Sequence, residues 1–272
     1  IGKNLTEQLS QKYKIFFPSH KELELLDAEA VRKYIIKNKI RIIVHAANVG
    51  GIRAEVVENL VGKNSQMFFN IARNARLVKK IIHLGSGAEY DKRRPLIKVR
   101  EDDFDQCVPV DDYGFSKYIL SKYIIDGEQP IICLRLFGVF GKYENYQKRF
   151  ISRAMVDNLK GLPITIHQNA VFDYLFIDDL AKIIDLFLSK PLKRGVFNVT
   201  PTESIDLITL ANKINLLSNK PSKVVVEKKG MANEYTGGNK KLLQLMPKLS
   251  FTPFSVSLKS LYSYLFANIN DL

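Results

Sequence analysis

Only two cysteines occur in 272 residues, Cys107 and Cys133, and Cys133 lies in the apolar run PIICLRLF. Two cysteines build no disulfide framework, and Cys133 reads as a buried, inert thiol. No apolar run approaches the ~18 residues of a membrane span, and no signal-peptide pattern precedes the first elements. The expectation is a cytoplasmic protein without a membrane partner. Internal repeats, low-complexity stretches and metal-ligand spacings are missing too, so His45 and His83 read as strand-end histidines rather than metal ligands.

Acidic residues are outnumbered 28 to 41, a net charge of +13, which favours anionic ligands such as nucleotides and phosphates. The basic residues are scattered in pairs, with one cluster at Lys92, Arg93 and Arg94. No basic stripe interleaved with aromatics marks a nucleic-acid surface, so nucleic acid is not the expected partner.

What is present is an alternation. Helical stripes over 28–38 (Val31, Tyr34, Ile35) and 56–75 (Met67, Phe68, Ile71) are separated by the apolar runs RIIVHAA, KKIIHLGS and PIICLRLFG. Tyr13–Phe17 is predicted as a further short strand. Continuous apolar strands between amphipathic helices predict an α/β fold: a doubly wound, Rossmann-like parallel sheet covered on both faces. From about residue 142 the rhythm loosens into a smaller C-terminal α/β lobe. Helices are expected at 149–161, 176–190, 204–217, 239–246 and 256–268, and short strands at 163–167, 195–199 and 223–227.

The segment DDYGFSKYILSKY holds two Tyr-x-x-x-Lys pairs, Tyr113/Lys117 and Tyr118/Lys122. Residues i and i+4 share a helix face, so each pair sets an ammonium beside a phenol. The ammonium favours phenolate and would lower the tyrosine pKa from ~10, suiting it to acid/base work on an alcohol or carbonyl. Ser86, at the C-terminal end of a predicted parallel strand, stands where doubly wound sheets build their sites. Its hydroxyl would hold a substrate oxygen while Tyr113 exchanges the proton.

Six segments in register carry a family resemblance: HAANVGG (45–51), HLGSGAEY (83–90), YGFSK (113–117), LRLFGVFG (134–141), FDYLFIDDLA (172–181) and GVFNV (195–199). The chain resembles the extended short-chain dehydrogenase/reductases, the NAD(P)-dependent nucleotide-sugar epimerases, dehydratases and reductases. Within them it is most similar to the GDP-L-fucose synthases. The resemblance implies Tyr113 as acid/base, Lys117 on the nicotinamide ribose, and Ser86 with Gly87 at the reacting sugar. It implies Ala46 and Ala47 against the cofactor, Glu24 and Leu25 near the adenine, and Asn64 as a brace or cofactor contact. Tyr118 and Lys122, about 140° round the helix from the Tyr113 face, fall outside the site.

The resemblance divides the chain into a dinucleotide-binding domain, 1–141, to which 163–200 partly returns, and a substrate lobe of 142–162 and 201–272. Gly2 matches the third glycine of the family's phosphate-binding turn. The family's first strand and first two glycines are not in the sequence, so a truncated or processed chain is expected. A homodimer is expected by analogy.

Departures from the family narrow the reaction. Gly87 and Ala88 stand where dehydratases carry Asp-Glu, so dehydration is not expected. Ala88 also replaces the cysteine of the fucose synthases, and their histidine's segment reads KRFIS (148–152), which argues against double epimerisation. Hydride transfer at a sugar C4 remains: reduction of a 4-keto nucleotide-diphosphate sugar, or 4-epimerisation. The alternative is a catalytically silent dinucleotide sensor or scaffold. Phe172 replaces the usual diphosphate-binding arginine, and Lys148, Arg149 and Arg153 are the candidates to substitute for it. The turn PSHK (18–21) lacks the acid that would hold a ribose 2′-hydroxyl, and His20 there would suit a 2′-phosphate; NADP is therefore expected, with NAD possible.

Overall fold

The computed structural model describes residues 1–51 and 57–271. Helix α1 (Gly2–Leu9) is followed by α2 (Ala28–Lys37), β1 (Ile42–His45), α3 (Leu60–Ala72), β2 (Lys80–Ser86), β3 (Leu96–Val99), α4 (Asp112–Asp126) and β4 (Ile131–Leu136). Then come β5 (Gly138–Phe140), α5 (Phe150–Leu159), β6 (Ile164–Asn169), β7 (Val171–Phe172), β8 (Tyr174–Phe176), α6 (Ile177–Ser189) and β9 (Gly195–Val199). The chain closes with β10 (Ile205–Asp206), α7 (Leu207–Asn215), β11 (Val224–Met231), β12 (Tyr235–Gly237), α8 (Lys240–Leu245) and α9 (Phe254–Ala267).

The helices begin where side chains can satisfy their free N–H groups. Asp27 accepts hydrogen bonds from the Glu29 and Ala30 amides at 2.9 and 3.0 Å to start α2, and Asp111 accepts from Gly114 N at 2.9 Å to start α4. The helix expected over 56–75 occupies Leu60–Ala72, and residue 56 lies outside the described residues.

The main sheet runs β1–β2–β4–β9, all parallel. Its continuous apolar runs have a simple cause, because successive side chains point to opposite faces and both faces are covered. Ile81, Ile131 and Cys133 pack with Val31, Phe68 and Leu120 of α2, α3 and α4 on one side. Ile82, Leu84, Ile132 and Leu134 pack with Leu5, Ile183 and Phe187 of α1 and α6 on the other. Each such buried aliphatic side chain contributes about 1.5–3 kcal/mol. This is the doubly wound parallel sheet expected from the sequence. Beside it lie a second sheet, β10–β7–β12–β3, and the parallel pair β6–β11.

Tyr13–Phe17 is not a strand. Among the described residues β1 is the edge of the main sheet. A groove of about 1200 Å³, lined by Leu5, Leu9, residues 13–18 and 40–47, separates the segment from that edge. With no ladder partner in reach, an apolar extended stretch has no backbone bonds that would make it a strand. No helix among the described residues is long and apolar enough to cross a membrane.

Candidate active site

Parallel pairing aligns the C-terminal ends of β1, β2 and β4, with His45 opposite His83 and Ser86 opposite Leu136. Helix α4 crosses this edge and brings its first turns to Ser86. The serine ends β2 and starts a 3₁₀ turn over Gly87–Tyr90, where its Oγ accepts a hydrogen bond from Ala88 N at 3.2 Å. Glu89 returns the bond, its Oε1 accepting from Ser86 N at 2.8 Å. Beneath the turn Glu89 is fully buried; its Oε2 accepts from Arg135 Nε at 2.6 Å and from the Ser121 hydroxyl. Arg135, also fully buried, donates to the Tyr90 hydroxyl at 2.8 Å and stacks over the Phe104 ring at 4.2 Å. Neither Glu89 nor Arg135 was anticipated. The signals were there: Ser86-Gly-Ala-Glu89 has the Ser-x-x-Glu spacing of a capping box, and an arginine inside an apolar strand requires a buried partner.

The Tyr113 and Tyr235 hydroxyls both lie near Ser86, whose hydroxyl favours the ionised form of each. Gly51, at φ +87°, passes so near the Tyr113 ring that a β-carbon there would lie 2.6 Å from it. Lys117 is buried one turn along α4, its Nζ donating to Leu84 O at 3.1 Å and standing 5.9 Å from the centre of the Tyr113 ring. Its pKa falls to about 8, because burial disfavours the cation and Glu89 offsets this only in part.

The expected lowering of the Tyr113 pKa is not observed. Burial raises it, and the Ser86 hydrogen bond and the Arg149 charge oppose that only partly. Spacing along a helix indicates which charge is near but not the desolvation around it.

The other predicted residues separate into two groups. Gly2, Leu25, Ala46 and Ala47 line the groove beside β1. Asn64 is buried in α3 and clamps Val49, accepting from its N–H at 2.9 Å and donating to its carbonyl at 3.0 Å, so it braces the loop after β1. Gly87 is buried beneath Phe137 and Tyr235. Arg149 projects its charge onto Tyr113, Tyr174 and Tyr235. Lys148 is exposed, as is Arg149, and Arg153 donates to Thr165 O at 3.0 Å. His20 and Glu24 face solvent and pair with each other at 3.8 Å, and neither lines the groove. Tyr118 and Lys122 both bind Asp105, away from Ser86.

His45 and His83 are buried with their Nδ1 atoms 3.0 Å apart. Burial holds both rings neutral, His45 down to about 3, and the Lys117 charge adds to the effect. No cluster of three metal-ligating side chains occurs among the described residues.

Known proteins share this architecture. The GDP-L-fucose synthetase of Naegleria fowleri, solved bound to NADP, superposes with a TM-score of 0.85 at 18% identity, covering 99% of this chain and 90% of that one. The UDP-glucose 4-epimerase of Thermotoga maritima gives 0.79 at 16% identity, over 98% and 96% of the two chains. In sequence, the GDP-L-colitose synthase of Yersinia pseudotuberculosis is 38% identical over 99 residues, 34% of this chain and 32% of that protein. The ADP-L-glycero-D-manno-heptose-6-epimerase of Brachyspira hyodysenteriae is 27% identical over 126 residues, 42% and 40% of the two. The chain thus aligns with less than half the length of the curated relatives it matches. Residues 1–200 match the model of the NAD dependent epimerase/dehydratase family, and by that match, on this fold, the chain belongs to that family.

Proposed function

We propose that the protein is an NAD(P)-dependent nucleotide-sugar oxidoreductase acting at the sugar C4, a 4-keto reductase or 4-epimerase. The observation that carries this reading is the grouping of Ser86, Tyr113 and Lys117: the Ser86 hydroxyl acts on the phenol, and the buried Lys117 Nζ stands 5.9 Å from its ring. A sensor that only bound a dinucleotide would have no use for that proton path.

The residues present fit a dinucleotide. Leu25, Ala46 and Ala47 lie on the groove beside β1, with Gly2 at the open start of α1; much of the remaining lining, such as Leu5, Val31, Ile43 and Ile184, is apolar. Lys117 donates to one carbonyl and has further N–H groups for a ribose. A bound nicotinamide dinucleotide supplies the hydride donor or acceptor; Gly2, Leu25, Ala46, Ala47 and Lys117 would hold it. The cofactor is NADP or NAD.

The protein's own groups manage the proton. Ser86 donates to the C4 oxygen and holds it beside Tyr113. In reduction Tyr113 gives its phenolic proton to that oxygen; in the reverse sense it takes the proton back. Lys117 stabilises the phenolate electrostatically. Arg149 faces the diphosphate of the nucleotide sugar, the role for which Phe172 has no charge.

The test is NADPH consumption with 4-keto nucleotide sugars, NADH as comparison, for the protein and Tyr113→Phe. Turnover should fall about 10²–10⁴-fold in the variant, the scale of one general acid. A folded variant with undiminished turnover would overturn the assignment of Tyr113.

A further inference from the structure

The cluster at Ser86 contains one residue that the proposed chemistry does not use. Tyr235 belongs to β12, held between β3 and β7 with Tyr235 opposite Leu96 and Phe172. The strand is pinned by Asp173, which accepts from Gly237 N at 2.8 Å, and by Thr236 Oγ1, which accepts from Lys98 N at 2.8 Å. The Tyr235 ring lies 5.1 Å from Phe137 and 6.2 Å from Phe172, centre to centre. Its hydroxyl comes over Gly87, where a β-carbon would stand 2.7 Å from it, beside Ser86, whose hydroxyl favours its ionised form. The absence of a side chain at position 87 makes this approach possible.

We propose that Tyr235 is a positioning residue that donates its hydroxyl proton to Ser86 Oγ and so aims the Ser86 proton at Tyr113 and the substrate oxygen. The proposal rests on the acid/base reading of Tyr113. The argument is one of capacity. A serine hydroxyl has one proton to give and two lone pairs to receive. One lone pair takes the Ala88 N–H. A proton from Tyr235 takes the other, and the serine can then only donate. Tyr235 is suited to this because burial raises its pKa far above neutrality, so its proton stays on. Without Tyr235 the Ser86 proton is free to rotate away, and the phenolate form of Tyr113 loses a donor.

The test needs neither cofactor nor substrate. Tyr113 ionisation is followed by NMR in protein carrying tyrosine labelled with ¹³C at Cζ, its resonance assigned with Y113F. Y235F keeps the ring packing and removes only the hydroxyl. It should raise the Tyr113 pKa by about half a unit to one unit, the scale of a hydrogen bond to the charged form. In an S86A background the same change should add nothing. G87A, which pushes the Tyr235 hydroxyl away from Ser86, is the second variant and should give a similar upward shift. An unchanged Tyr113 pKa in Y235F, or an equal shift with and without Ser86, would overturn the proposal and leave Tyr235 a packing residue. Failure to find turnover on any sugar would count against the proposed reaction and not against this coupling.

Discussion

Arg135 Nε lies 2.6 Å from Glu89 Oε2, and both side chains are sealed from solvent directly beneath Ser86. A buried ion pair of this kind gives little net stability over an apolar replacement, yet breaking it strands a charge. Arg135→Met should therefore destabilise the fold by about 3–5 kcal/mol, read from the urea midpoint at pH 7. Glu89→Gln together with Arg135→Met should recover most of the loss. Equal losses in the single and double variants would show that packing, not the stranded charge, is responsible.

Gly51 sets the position of the Tyr113 ring. Alanine there would place a β-carbon 2.6 Å from the ring in a backbone at φ +87°. Gly161, at φ +71° with nothing within 4 Å of its would-be β-carbon, is the control. Both Gly→Ala changes carry a backbone cost of about 1 kcal/mol or more. Only Gly51→Ala moves the phenol, so it alone should lower kcat/KM, by roughly 10²-fold for a displacement near 1 Å.

Most of the scaffold was legible because two-sided burial makes PIICLRLF and KKIIHLGS apolar throughout, and because the helices between them carry apolar stripes. Ser86, Tyr113 and Lys117 were legible for a related reason: a strand end and one helix turn place them almost locally. Tyr235 was not, because a three-residue strand leaves no periodicity and its position depends on pairing with β3 and β7 far away in sequence. The solvent-facing pairing of His20 with Glu24 was equally hidden, since both residues type-match a cofactor turn. The sign of the Tyr113 shift depended on burial, which spacing does not encode.

The His45–His83 pair predicts a loss of stability in acid. Both rings are buried and neutral in the fold, with pKa values below the ordinary 6.5. The unfolded chain therefore binds protons first as pH falls, and the stability present above about 6.5 is lost below it. Between pH 6.5 and 5 the pair should account for about 2–4 kcal/mol, measured as the change in urea unfolding free energy. His45→Leu with His83→Leu should flatten that limb. An unaltered slope would assign the acid sensitivity to other groups.

Glu144 predicts a slope of the opposite sign. Burial raises its carboxyl to about 7, against the Ser152 hydroxyl, which donates to it at 2.5 Å, and the charge of Arg149. The folded state thus holds a proton that the unfolded chain, titrating near its ordinary 4.5, has already released. Stability from this group is complete below about 4.5 and drains away as pH rises towards 7. Glu144→Gln keeps a neutral hydrogen-bonding side chain at every pH. At pH 5 it should unfold only slightly above the parent, and at pH 8 about 5–10 °C further above it, the shift expected of a further ~2–3 kcal/mol in a chain of this size. An equal change at both pH values would mean that the carboxyl is ionised in the fold, with Arg149 outweighing its burial.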